Sequence, residues 1–75
     1  MVKDKKRLMM EFVTADVVSA IIEDNAVSVQ EAMSVFYNSE VFDRLCDPET
    51  GLYRESSGYV YAMYKNWNHI AEYIL

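Results

Sequence analysis

The chain has 75 residues, 52% of them hydrophobic, and a net charge of −5. A chain of this length makes one domain and buries only about 60–65% of its unfolded surface, so its core is marginal. Cys46 and His69 are the sole residues of their types, which excludes an intrachain disulfide and a four-ligand Cys/His zinc site and leaves a partner subunit as the remaining support for so small a core.

The charge is unevenly spread. Lys3, Lys5, Lys6 and Arg7 are four of the seven basic side chains, and beyond residue 8 three basic residues face eleven acidic ones. Phosphate backbones are repelled by such a body, so no nucleic-acid partner is expected. There is no run of 18 apolar residues, and Glu11 and Asp16 interrupt the stretch after the basic start. Neither a membrane span nor a secretory segment is expected, and the cytoplasm is the simplest location. Gly and Pro total three residues, which favours helices over a turn-rich β fold. The expected fold is all-α: one domain over 1–75, a bundle of three to four helices at about 3–24, 28–38, 40–46 and 57–74, with 1–7 a frayed basic terminus.

In the first helix Leu8, Phe12, Ala15 and Ile22 mark one apolar line, which Met9, Val13, Val17, Ala20 and Ile21 widen beyond half of the circumference. A helix so apolar is either central in a small bundle or in contact with a second chain. Asp24 and Asn25 end it, because Asn tolerates the left-handed conformation. Ser28 and Glu31 form a capping-box pattern that opens the second helix, whose expected buried stripe is Val29, Ala32, Met33 and Phe36. Asn38 and Ser39 break it, since both side chains compete for backbone hydrogen bonds. A third, short helix turns Val41, Phe42 and Leu45 inward and Glu40 and Asp43 outward. Pro48 and Gly51 then make the one loop, after which Leu52 and Tyr53 return to the core in extended form. Ser56 caps the last helix, where Val60, Met63, Tyr64, Trp67, Ile70, Ala71 and Ile74 recur at helical spacing. That helix and the first are expected to form the main pair.

Chemistry-bearing constellations are few. Asp43, Asp47 and Glu49 surround a turn but lack the spacing of a calcium loop, so capping and solvation account for them and no metal is expected. Cys46 and His69 have neither an orienting third group nor an oxyanion site in the pattern, and a small buried thiol beside Leu45 accounts for Cys46. No cofactor and no enzymatic activity are expected. The six tyrosines are more informative, because a ring with a polar tip suits surfaces that are covered only part of the time. Tyr64 alone lies squarely on the last helix's stripe. Tyr53, Arg54, Tyr59, Tyr61 and Tyr73 are the candidate partner-binding residues, with edge packing as the competing account of the rings.

The block 36–45, with Phe36, Tyr37, Ser39 and Leu45, is followed by Glu49, Thr50, Leu52, Ser56, Tyr59 and Tyr61. This spacing resembles a group of short bacterial helical proteins without established chemistry, some encoded beside toxin-like proteins. The group's usual Ser-Pro before the last helix stands here as Ser56 and Ser57. The resemblance covers roughly residues 8–65, transfers no functional residue, and implies a toxin–antitoxin component of the non-enzymatic kind. The expected function is therefore a protein-interaction module, antitoxin-like or accessory, in a bacterial two-protein locus. The alternative is a homodimer formed through the apolar first helix. A DNA-binding regulator using Lys65, Asn66 and Asn68 is the weaker alternative, opposed by the acidic surroundings.

Overall fold

A computed structural model describes the backbone of residues 5–74 and the side chains of residues 5–67. Among the described residues the chain forms four α-helices and no strand: α1 (Lys5–Asn25), α2 (Val29–Tyr37), α3 (Glu40–Cys46) and α4 (Ser57–Ile74). Two single turns of 3-10 helix, Pro48–Thr50 and Leu52–Arg54, join α3 to α4. The molecule measures 42 × 25 × 18 Å.

The helix starts follow from serine chemistry. Ser28 Oγ accepts from the Glu31 N–H at 3.1 Å and opens α2, and Ser56 Oγ accepts from the Tyr59 N–H at 3.1 Å and opens α4. Ser39 works in both directions. Its hydroxyl donates to the Phe36 carbonyl at 2.6 Å, closing α2, and accepts from the Phe42 N–H at 3.1 Å, opening α3. It is 1% exposed, so both bonds form out of water, where an unmade one would be expensive. The end of α1 differs by one residue from expectation. Asn25 remains helical and its side-chain amide donates to the Ile21 carbonyl at 3.0 Å, while Ala26 takes the left-handed backbone at φ 53°. Gly51, at φ 69°, makes the other left-handed turn.

α1 is the centre, and among the described residues α2 packs on it as extensively as α4 does, so the expected pairing of α1 with the C-terminal helix is present beside a second one with α2. Its core line is Val13, Val17 and Ile21 at i, i+4, i+8, with Val18 beside them. Against this line pack Ala32 and Phe36 of α2, Val41 and Leu45 of α3, Leu52 and Tyr53 of the second 3-10 turn, and Val60 and Tyr64 of α4. The Phe36 ring is the hub: it meets Phe42 edge-on at 5.5 Å and Tyr64 edge-on at 5.7 Å, the arrangement that the ring quadrupole favours.

Several expectations are corrected here. The Leu8, Phe12, Ala15, Ile22 line is not the one that meets the core: Leu8, Phe12 and Ala15 are exposed and Ile22 is half-buried. Val29 and Met33 are exposed as well, because the face of α2 that packs on the core is the one with Ala32 and Phe36. Leu52 and Tyr53 are buried, in a 3-10 turn rather than an extended segment. Lys5, Lys6 and Arg7, assigned to the frayed terminus, have helical backbone; the rest of that segment lies outside the described residues, as do the side chains of His69, Ile70, Ala71, Tyr73 and Ile74.

Candidate interaction surface

Among the described residues, large apolar side chains that the core does not use are spread over three helices. On α1 these are Leu8, Met9 and Phe12, the last 61% exposed; on α2 they are Val29, Met33, Val35 and Tyr37, with Val29 57% exposed; on α4 it is Tyr59. Val29, Met33 and Tyr37 stand at i, i+4 and i+8, so they form a second stripe on α2, turned about a quarter of a revolution from Ala32 and Phe36. Between this stripe and α1 runs an open groove of about 720 Å³. Met10, Thr14, Val18 and Ile22 form one wall, the α2 stripe forms the other, and Phe42 and Cys46 close one end. Among the described residues the only charged side chains along it are Arg7 and Glu11, which face each other at 3.7 Å, four residues apart on α1. Thr14 adds no free donor, since its hydroxyl bonds the Met10 carbonyl at 2.7 Å.

Cys46 is therefore exposed at the end of a groove, not sealed in the core as expected. Partial burial of the thiol, and then the Asp43 carboxylate beside it, push its pKa up, so it stays protonated and is a poor nucleophile. His69 lies outside the residues whose side chains are described.

The candidate residues separate into distinct situations. Tyr53 is 4% exposed and cannot offer its ring to a partner. The sequence-level assignment of Tyr53 to a binding surface is corrected: Gly51's left-handed turn swings the ring beneath α1, and burying it supplies area that the small core needs. Arg54 is exposed, but its guanidinium lies 5.5 Å from the Tyr53 ring centre and its Nε donates to the Tyr53 hydroxyl at 3.2 Å, so it covers Tyr53. Tyr61 is half-buried and lies between α4 and α1. Its hydroxyl donates to Asp24 Oδ2 at 2.5 Å, the Lys65 ammonium sits 4.8 Å over its ring, and Tyr64 stacks beside it at 6.4 Å. Burial first, then the bond to Asp24, pushes its pKa up to about 12. Tyr59, 51% exposed, is the one candidate ring in open solvent among the described residues, and Tyr73 lies outside them.

A second, more polar cleft of about 630 Å³ lies on the other side of α1, lined in part by Asp24, Tyr61, Lys65 and Trp67. Some of its polar groups are engaged: Tyr61 bonds Asp24, and Trp67 Nε1 donates to Glu40 Oε2 at 3.1 Å, outside the cleft, where Glu40 also holds Arg44 at 3.1 Å. Asp47 Oδ1 accepts from the Glu49 N–H at 3.0 Å, a turn-capping bond. Among the described residues no three His, Cys, Asp or Glu side chains converge on a point where a metal ion would sit, and no helix is long and apolar enough to cross a membrane.

The sequence reading placed Val29 and Met33 in the core and did not single out the groove. A signal was present: Val29, Ala32, Met33, Val35, Phe36 and Tyr37 surround most of a helix of nine residues, more than one neighbour can cover. Comparison of the chain with protein-family models, with curated proteins and with solved structures found no match.

Proposed function

We propose that this chain is a non-enzymatic protein-interaction module, and that it binds through the outer face of α1 and the adjoining α1/α2 groove. The observation that carries this reading is the open, nearly uncharged groove lined by Val29, Met33 and Tyr37 of α2, next to an α1 on which Leu8 and Phe12 are exposed, in a protein whose own core is thin. Contiguous exposed apolar surface on a small acidic domain marks a place that another molecule covers. A groove with helical walls and almost no charge suits the apolar face of a helix, and the ring of Tyr37 and the thioether of Met33 are the side chains that anchor such contacts. The acidic body favours a target whose polar face is basic. An antitoxin-like or accessory role in a bacterial two-protein locus fits this mode of action, because such a protein works by covering its partner.

The test is recovery of the tagged native protein together with the product of the adjacent gene, and the same recovery with Met33→Asp. Met33 is outside the core, so the variant stays folded; partner loss with an unchanged melting curve is the expected result. Recovery of the protein alone, or partner retention by Met33→Asp, counts against the groove.

A further inference from the structure

We propose that the outer face of α1 seats the same helix of a second copy, running antiparallel. This rests on the reading of that face as an interaction surface and names its occupant. Lys5, Leu8, Phe12, Ala15, Ser19 and Ile22 follow one another at alternating steps of three and four residues. That is the 3.5-residue repeat of a two-helix seam, and it runs along α1 on the side away from Val13, Val17 and Ile21. A single helix thus carries two seams, one filled by its own chain and one open from Lys5 to Ser19, with Ile22 at its end half-buried against the core.

Side-chain size along the open seam fixes the direction. The large residues Leu8 and Phe12 are in its first half, and the small, exposed Ala15 and Ser19 are in its second. Turning a second copy end for end sets Phe12 over Ala15 and Leu8 over Ser19 of the other chain, so the central layers each pair a large side chain with a small one and the helices approach closely, while Lys5 comes over Ile22 at the two ends. Two parallel copies would instead stack Phe12 on Phe12 and leave a gap at Ala15.

Charge selects the same direction. The first turns of α1 carry Lys5, Lys6 and Arg7, and its last turns carry Glu23 and Asp24. In the register that pairs Phe12 with Ala15, Lys5 arrives beside Glu23 of the other copy, whereas a parallel pair would bring Lys5 onto Lys5. Basic residues at a helix N-terminus oppose their own helix dipole; beside the C-terminal end of an antiparallel neighbour they meet the negative pole. The face is self-complementary about a twofold axis, which is what a closed dimer requires.

Sedimentation equilibrium of the full chain tests this. A dimer is expected, and Phe12→Asp is expected to weaken it by at least about 100-fold while the monomer keeps its helical circular-dichroism spectrum and cooperative melt. Lys5→Glu and Glu23→Lys are each expected to weaken the dimer, and the double variant Lys5→Glu/Glu23→Lys to restore it, because each new Glu then meets a new Lys across the antiparallel seam. A chain that stays monomeric up to about 1 mM, a dimer indifferent to Phe12→Asp, or a double variant no tighter than the singles overturns the antiparallel seam. If a monomer loses the adjacent gene's product on Phe12→Asp, self-pairing alone has failed. If partner recovery ignores Phe12→Asp and Met33→Asp alike, the interaction surface has failed with it.

Discussion

α1 has two apolar faces with different fates. The inner one, Val13, Val17, Val18 and Ile21, is entirely β-branched and buried; the outer one carries Leu8, Met9, Phe12 and Ala15, all exposed, and has a single β-branched residue, the half-buried Ile22, at its far end. Stiff β-branched side chains lose little freedom when fixed against a neighbour, and they make a shallow, even surface for several elements at once. Leu, Met and Phe project further and adapt, which suits a contact formed after folding. Hydropathy gives both faces the same weight; side-chain shape separates the one that builds the subunit from the one that remains available.

The largest separation between the faces is in stability. Ile21→Ala removes a side chain from the centre of the inner face and is expected to cost about 2–4 kcal/mol. Phe12→Ala removes a larger one from the outer face and, at concentrations low enough to hold the monomer, is expected to cost less than about 1 kcal/mol. Urea denaturation followed by circular dichroism reads both, and equal losses would break the distinction. A smaller effect concerns the flank of α1 that meets α4. The folded protein holds the Tyr61 proton more tightly than the unfolded chain does, where the pKa is near 10.0. The stability from this contact is therefore complete below pH 10 and lost as the pH climbs from about 10 towards about 12. Tyr61→Phe is expected to flatten part of that decline, the remainder coming from Tyr64, whose pKa burial also raises. An unchanged pH profile in the variant would remove Tyr61 from the α1/α4 contact.

The smallest effect is at the end of α1. Ala26 bears a Cβ in left-handed backbone, a strain of about 1–2 kcal/mol that glycine lacks. Glycine's greater freedom in the unfolded chain offsets about half of that. Ala26→Gly is thus expected to stabilise by about 0.5 kcal/mol and to raise the melting temperature by about 2–4 °C. A loss instead would mean that Ala26 contributes more than geometry to the approach of α2.

What could be read from the residues, and what could not, follows the range of the forces concerned. Ser28, Ser56 and Gly51 act within three or four residues of themselves, so the starts of α2 and α4 and the turn after α3 were written locally. Which face of α1 meets the core is decided by α2, α3 and α4 together, and the outer line has helical spacing as good as the inner one. Tyr53 shows the same limit: next to Arg54 and a loop it resembles a surface anchor, and only the 3-10 turn that follows Gly51 makes it a core residue. Of the proposed ring surface, Tyr59 is open and Tyr61 is committed to Asp24, whereas Val29 and Met33 lay within a stripe that was assigned inward. The seam along α1 was present as the Leu8, Phe12, Ala15, Ile22 line, but its outward direction needed the fold.

One hydroxyl has a consequence for how the molecule opens. At nine and seven residues, α2 and α3 are each too short to persist in water alone, where about 12–15 are needed. Ser39 joins them through a single oxygen, so fraying at the end of α2 takes away the acceptor that starts α3, and the reverse. The two helices should therefore exchange their amide hydrogens as one cooperative unit, with a shared protection factor, while the longer rods α1 and α4 hold theirs independently.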